Sequence, residues 1–99
     1  MSAMSLEQSL LALASASPLG ATIAMQLSDG DTWYVKSMAG EAQVSTVEMP
    51  DVKATFTLST ADLQAMLDKA LNPTQAFMSG KMQIKGDMGI AMKLAQLLA

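Results

Sequence analysis

The sequence predicts an α+β fold with a five-stranded, mostly antiparallel sheet, and three observations carry that reading. Hydrophobic residues alternate with period two from Ala21 to Leu58, which is the mark of half-buried strands. Short clusters of Ser, Asp, Gly and Pro punctuate that stretch, so its strands are joined by tight turns. On either side of it the period changes to that of a helix. A chain of 99 residues, 51% hydrophobic and 15% charged, is one domain's worth of sequence, and we read residues 1–99 as a single domain.

Residues 5–16 read as a short helix. Ser5 can cap it, Glu7 lies near its positive end, and Leu6, Leu10, Leu13 and Ala14 share a face. Pro18 stops it, because the residue before a proline is driven out of helical geometry. The first strand carries Ala21, Ile23, Met25 and Leu27 on one side, and Ser28-Asp29-Gly30-Asp31 turns the chain. Thr32 to Met38 is the second strand, with Trp33 and Val35 on one face and Tyr34 and Lys36 on the other. After Ala39-Gly40-Glu41, Ala42 to Val47 is the third. Beyond Met49-Pro50-Asp51 comes the fourth, with Val52, Ala54, Phe56 and Leu58 sharing a face. These four are expected to form an antiparallel meander with one covered face and one wet face.

Ser59 or Thr60 then caps a helix whose apolar side is Leu63, Met66, Leu67 and Ala70. Asn72-Pro73 starts another, with Asn as cap and Pro in the first turn, ending at Gly80. Lys81 to Lys85 alternates around Met82 and Ile84 as a fifth strand. Gly86 turns the chain, Asp87 caps, and Met88 to Leu98 is the last helix. That helix has two apolar stripes: Met88, Ala91, Met92, Ala95 and Leu98, and beside them Ile90, Leu94 and Leu97. An arc this wide needs partners on two sides. Neighbouring helices, a second subunit or an apolar ligand would each serve beside the sheet.

Composition excludes many functions. The chain has no cysteine, so it forms no disulfide and offers no thiol nucleophile. It has no histidine, the commonest general base and transition-metal ligand. Without arginine, bidentate guanidinium recognition of phosphate is absent as well. No cofactor or metal site is expected. Asp29-Gly30-Asp31 lacks the further oxygens of a calcium loop and reads as a turn. A net charge of −3, six lysines and four aromatic residues argue against nucleic acid as a partner. No apolar run reaches the roughly 18 residues of a membrane-spanning helix, and the short run Leu10 to Ala14 has no basic residue before it, unlike a signal peptide. Residues 50–99 hold five lysines against four aspartates, while residues 1–49 hold Lys36 against five acidic residues. The more basic half also holds Met66, Met78, Met82, Met88 and Met92, half of the chain's ten methionines.

From Asn72 to Leu94 the chain reads Asn-Pro-Thr-Gln-Ala-Phe-Met-Ser-Gly-Lys-Met-Gln-Ile-Lys-Gly-Asp-Met-Gly-Ile-Ala-Met-Lys-Leu. This closely resembles the signature of the sterol carrier protein 2 family. The strand with Thr32-Trp33 and the segment from Phe56 to Leu67 fit that family in order and spacing, and the resemblance covers residues 20–98. It implies helices packed on one face of the sheet and a hydrophobic tunnel between the two layers. It also implies non-catalytic binding and transfer of fatty acids, fatty acyl-CoA, sterol-like molecules or phospholipids. Two other roles stay open: presenting substrate to a lipid-modifying enzyme, or a homodimer without ligand that buries the wide last helix.

Under the lipid-binding reading, the flexible thioethers of Met66, Met78, Met82, Met88 and Met92 line an adaptable cavity with Phe77, Ile84, Ile90, Leu94 and Leu97. The plainer alternative is an ordinary core or helix–helix contact. Trp33 reads as core. Gln83 is a candidate polar handle for a head group, as are Gln75 and Gln96. Lys81, Lys85 and Lys93 can meet an anionic membrane surface near the tunnel mouth. A monomer and a homodimer are both compatible with the sequence. The chain ends Leu97-Leu98-Ala99 where peroxisomal members carry a Ser-Lys-Leu-like tripeptide, so a cytoplasmic location is expected.

Overall fold

A single sheet organises the chain. The computed structural model describes residues 6–16 and 19–98, with only the backbone described at Leu6. The elements run α1 (Leu6–Ala16), β1 (Ala21–Leu27), β2 (Thr32–Met38), β3 (Glu41–Ser45), β4 (Val52–Leu58), α2 (Thr60–Leu67), α3 (Pro73–Met78), β5 (Gln83–Gly86) and α4 (Met88–Leu98). The expected Ser5 cap and Pro18 stop lie outside the described residues, as does the Leu6 side chain.

The five strands lie in the order β3-β2-β1-β4-β5. The first three form the expected antiparallel meander, but β4 does not continue it. After Ser45 the chain crosses the sheet and β4 pairs in parallel with β1, Met25 opposite Phe56 and Leu27 opposite Leu58. The expected fully antiparallel four-strand meander therefore does not form. Alternation of side chains reveals which residues share a face, and it carries no information on which strand is the neighbour. The sheet stays mostly antiparallel, because β5 pairs antiparallel with β4. The register slips between Thr22 and Ile23, which face Val52 and Ala54, so Lys53 is an extra residue in β4. Val52 therefore falls out of step with Ala54 and lines a polar recess with Ala24, Gln26 and Thr55.

One face of the sheet is buried. Ile23, Met25, Leu27, Val35, Ala54, Phe56 and Leu58 meet Leu10 and Ala14 of α1, Leu63 and Met66 of α2, and Ala91, Leu94 and Leu98 of α4 in one core. Trp33 packs against this core, partly buried, as its strand position predicts. The helices are capped as expected. The Ser59 hydroxyl accepts from the Asp62 amide at 3.1 Å. Asn72 Oδ1 accepts from Thr74 at 2.8 Å, and Asp87 Oδ1 accepts from Gly89 at 2.8 Å. α2 ends at Leu67, short of the expected Ala70, because Lys69 turns left-handed with φ 63°.

Two local contacts fix the layers against each other. Ser37 is fully buried in β2; its hydroxyl donates to the Ala14 carbonyl at 2.9 Å and accepts from the Leu19 amide at 3.0 Å. It ties the end of α1 to the sheet and satisfies two buried backbone groups. At the opposite edge, Gly86 has φ +107°, and a Cβ there would overlap the Lys53 carbonyl oxygen and approach the Ala54 Cα to 3.0 Å. The adjoining Asp87 amide donates to that same carbonyl at 2.8 Å, so the extra residue of β4 is seated against a glycine.

Two variants test these anchors by urea denaturation. Ser37→Ala leaves the Ala14 carbonyl and Leu19 amide unpaired and should cost about 1–3 kcal/mol, with faster amide exchange at Leu19; an unchanged midpoint would show the tether is idle. Gly86→Ala should cost at least about 2 kcal/mol, from backbone strain and overlap together. A neutral result there would mean β4 and β5 can separate at no cost.

Candidate functional site

The site begins on α1. Ser9, Ala12, Leu13 and Ala16 recur at helical spacing and line one side of the helix. Three of the four side chains are small, so this side of α1 does not reach the helices opposite. The gap that remains is a solvent-open cavity, a cleft of about 440 Å³. α2 and the residues after it supply Gln64, Met66, Leu67, Asp68 and Lys69, and α4 supplies Leu97 and Leu98. Its size is within the range of roughly 300–1,000 Å³ typical of small-molecule sites, and apolar walls with a few polar groups match their chemistry.

Lys69 defines the polar end. The left-handed turn that stops α2 sends its side chain to the end of α4, where Nζ donates to the Leu97 carbonyl at 3.1 Å. A cation suits the negative end of a helix. It also bridges two walls of the cavity, so α2 and α4 cannot part without breaking or stretching that bond. Gln64 and Asp68 supply the other polar groups.

The residues expected to line a tunnel separate into distinct environments. Met66 and Leu97 line the cavity. Met66, Met82 and Leu94 are buried in the core, and Ile84, Ile90 and Leu97 are partly buried against it. The core side of α4 is Ala91, Leu94 and Leu98. Phe77, Met78, Met88 and Met92 are exposed to 45%, 80%, 49% and 63%, on α3 and on the outward side of α4, and none of them lines the cavity. The expected wide arc of α4 is thus covered on one side only. Gln83 is exposed and pairs with Thr57, while the next residue, Ile84, pairs with Phe56. Residues that alternate along a strand face opposite ways, so Gln83 and Lys85 belong to the face away from the helices. Neither Gln83 as an inward handle nor Lys85 as a neighbour of Lys81 and Lys93 fits that register. Gln75 and Gln96 are also exposed.

Sequence reasoning missed Ser9, Ala12, Ala16, Gln64, Asp68 and Lys69. The small residues of α1 carry a legible signal in their helical spacing. Lys69 carries none, since no glycine marks the turn that redirects it. Among the described residues no three His, Cys, Asp or Glu side chains group to hold a metal ion. Asp29 is engaged elsewhere: Oδ1 accepts from both the Thr60 amide and the Thr60 hydroxyl at 2.9 Å, and those bonds hold its carboxyl below the ordinary value. It fastens the β1–β2 turn to the start of α2. No described helix is long and apolar enough to cross a membrane.

Known proteins share this architecture. A chicken protein named sterol carrier protein 2 is 34% identical over 84 residues, covering 80% of this chain and 15% of its own length. A bovine hydroxysteroid dehydrogenase-like protein 2 is 38% identical over 71 residues, covering 71% of this chain. The chain spans only 15–17% of these curated relatives. Among solved structures, the sterol carrier protein domain 2 of Helicoverpa armigera superposes with a TM-score of 0.71 at 29% identity, covering 81% of this chain and 67% of that one. Sterol carrier protein 2 from Yarrowia lipolytica shares the fold with a TM-score of 0.65 at 21% identity, covering 93% of this chain and 75% of that one. The model of the SCP-2 sterol transfer family matches residues 4–99, and with the sheet order and helix-covered face above, the chain belongs to that family.

Proposed function

We propose that the chain binds one apolar chain or ring system in the cavity between α1, α2 and α4, and carries it as a non-catalytic lipid-binding domain. The observation that carries this reading is the apolar cavity of about 440 Å³ walled by Leu13, Met66, Leu67, Leu97 and Leu98. Removing apolar surface from water yields about 25 cal/mol per Å², or about 0.8 kcal/mol per methylene. That force has no direction, so long-chain fatty acids, acyl-CoA tails and sterol-like ligands compete on length and volume. Met66 lies at the back of the cavity and in the core at once. Its flexible thioether can repack as a guest extends inward toward Leu94 and Met82. Lys69, Gln64 and Asp68 form the polar rim, where a head group stays solvated. Entry then requires α1 to swing on its Ser37 tether or the Lys69 bond to α4 to yield.

A second reading, presentation of a lipid substrate to an enzyme, draws on the relatives. This chain matches a small part of much longer proteins, one of them named as hydroxysteroid dehydrogenase-like. The same cavity serves both roles, so the first test is occupancy.

Ala12 is exposed on α1 and lines the cavity, so Ala12→Phe should fill the space without disturbing the core. Uptake of a fluorescent long-chain fatty acid should fall at least about tenfold, a change of about 1.4 kcal/mol, while circular dichroism and the Ala12→Ser control stay as in the unmodified chain. Undiminished uptake by Ala12→Phe would move the ligand out of this cavity.

A further inference from the structure

We infer that the sheet face turned away from the helices carries a second site, which takes an α-amino acid with an apolar side chain. Thr22, Lys36 and Gln43 stand opposite one another on β1, β2 and β3, while their neighbours Ile23, Val35 and Val44 belong to the core or pack against it. The row of three therefore faces outward. The crossover from β3 to β4 passes beside it, and together they bound an open recess of about 490 Å³. Met38, Met49 and Pro50 give this recess an apolar wall, and Lys36, Lys53 and Asp51 give it charge. It shares no lining residue with the cavity between α1, α2 and α4.

The backbone fixes two of these charges in place. Lys53 is the extra residue of β4, and because of the slip Val52 and Lys53 both line the outward face, Val52 beside Ala24 and Lys53 beside Thr22. The Lys53 carbonyl accepts from the Asp87 amide at 2.8 Å and lies against the bare Cα of Gly86, so the residue is held from behind. Asp51, next to β4, has φ 61° in the left-handed region. The Lys53 ammonium and the Asp51 carboxylate pair neither with each other nor with another side chain among the described residues. Lys36 differs: its Nζ holds Glu41 Oε1 at 3.1 Å, which balances its charge and leaves further N–H groups for a ligand. One cation and one anion thus stand open beside an apolar wall. An α-amino acid carries the complement on a single carbon. Its carboxylate meets Lys53, its ammonium meets Asp51, and its side chain lies on Met38 and Met49, whose thioethers adapt in shape and suit an aromatic ring. A simple carboxylate would meet the unbalanced Asp51, and a simple amine the unbalanced Lys53, so both are selected against. The site stands apart from the lipid-binding reading and does not depend on it.

The test is a titration of carbon-13-labelled methionine methyls with L-phenylalanine as the probe. Met38 and Met49 should shift to saturation with a dissociation constant on the order of 1 mM, the range of so small a ligand in an open site, while Met66 stays still. 3-Phenylpropanoate lacks the ammonium and 2-phenylethylamine lacks the carboxylate. Each should bind about three- to fivefold more weakly, the worth of one exposed ion pair. Lys53→Gln should weaken phenylalanine by the same factor without weakening 2-phenylethylamine. Asp51→Asn, which keeps a residue at home in left-handed backbone, should weaken phenylalanine without weakening 3-phenylpropanoate. Saturating palmitate should leave the Met49 response to phenylalanine intact. Equal binding of the three probes, shifts at Met66 in place of Met38 and Met49, shifts that never saturate, or full phenylalanine affinity in both variants would each overturn the inference. The three probes are compared on the unmodified chain, so that arm decides the question even where a variant fails to fold.

Discussion

The parallel ladder between β1 and β4 makes β1 the middle strand of the sheet, and the placement of every helix follows from that pairing. It brings Phe56 beside Met25 and Leu58 beside Leu27 on the buried face. The edges then have to be short. β3 has five residues and β5 four, and each is backed by other elements: α1 packs on β2 and β3, and α4 on β4 and β5. With α1 and α4 docked over opposite halves of one sheet face, a gap between them is a geometric consequence. α2 closes it from one side. Whether it fills depends on what α1 offers, and α1 offers Ser9, Ala12 and Ala16 beside a single leucine. A larger residue at one of these positions would fill the cavity from its open side.

The same logic explains why this fold can hold a guest without a preformed polar machine. The walls are largely apolar, the polar groups sit at one end, and on the proposed reading each of the two elements that would move carries a directional contact. Ser37 holds the end of α1, and Lys69 holds the end of α4. Hydrogen bonds of this kind contribute about 1 kcal/mol net, more where a charge takes part. That is small against the burial of a long acyl chain at about 0.8 kcal/mol per methylene. Ligand burial can therefore offset the opening of either contact. On α4 the inner residues belong to the core, while Met88 and Met92 are exposed to solvent.

Every helix and strand was legible in the sequence, because the period of hydrophobicity is local information. The caps at Ser59, Asn72 and Asp87 were legible for the same reason. Strand order was not, since nothing in the alternation of Val52 to Leu58 distinguishes a neighbour at β3 from one at β1. The slip at Lys53 was equally hidden, although Gly86 is its structural counterpart and stands within the quoted signature. For the site, the unusual width of the apolar arc on α4 was visible, and so was the need for a second partner. Which residues of the two stripes would face inward was not, and the core draws on both. Ala91, Leu94 and Leu98 took the core because they sit over β4 and β5, and the methionines flanking them were left outside. The cavity leaves little trace in the pattern because it is bounded by small residues on α1, and hydrophobicity patterns register what is large.

Methionine methyl groups report directly on where a guest lies, because the chain's methionines sample the core, the cavity and the surface. The decisive measurement is intermolecular nuclear Overhauser contacts between the methylenes of bound palmitate and carbon-13-labelled methionine methyls. Contacts are expected to Met66, extending to Met82 as the acyl chain reaches inward, and none to Met78 or Met92. Contacts confined to Met78, Met88 and Met92, with Met66 silent under saturating ligand, would place the lipid on the outer face and rule out binding between α1, α2 and α4.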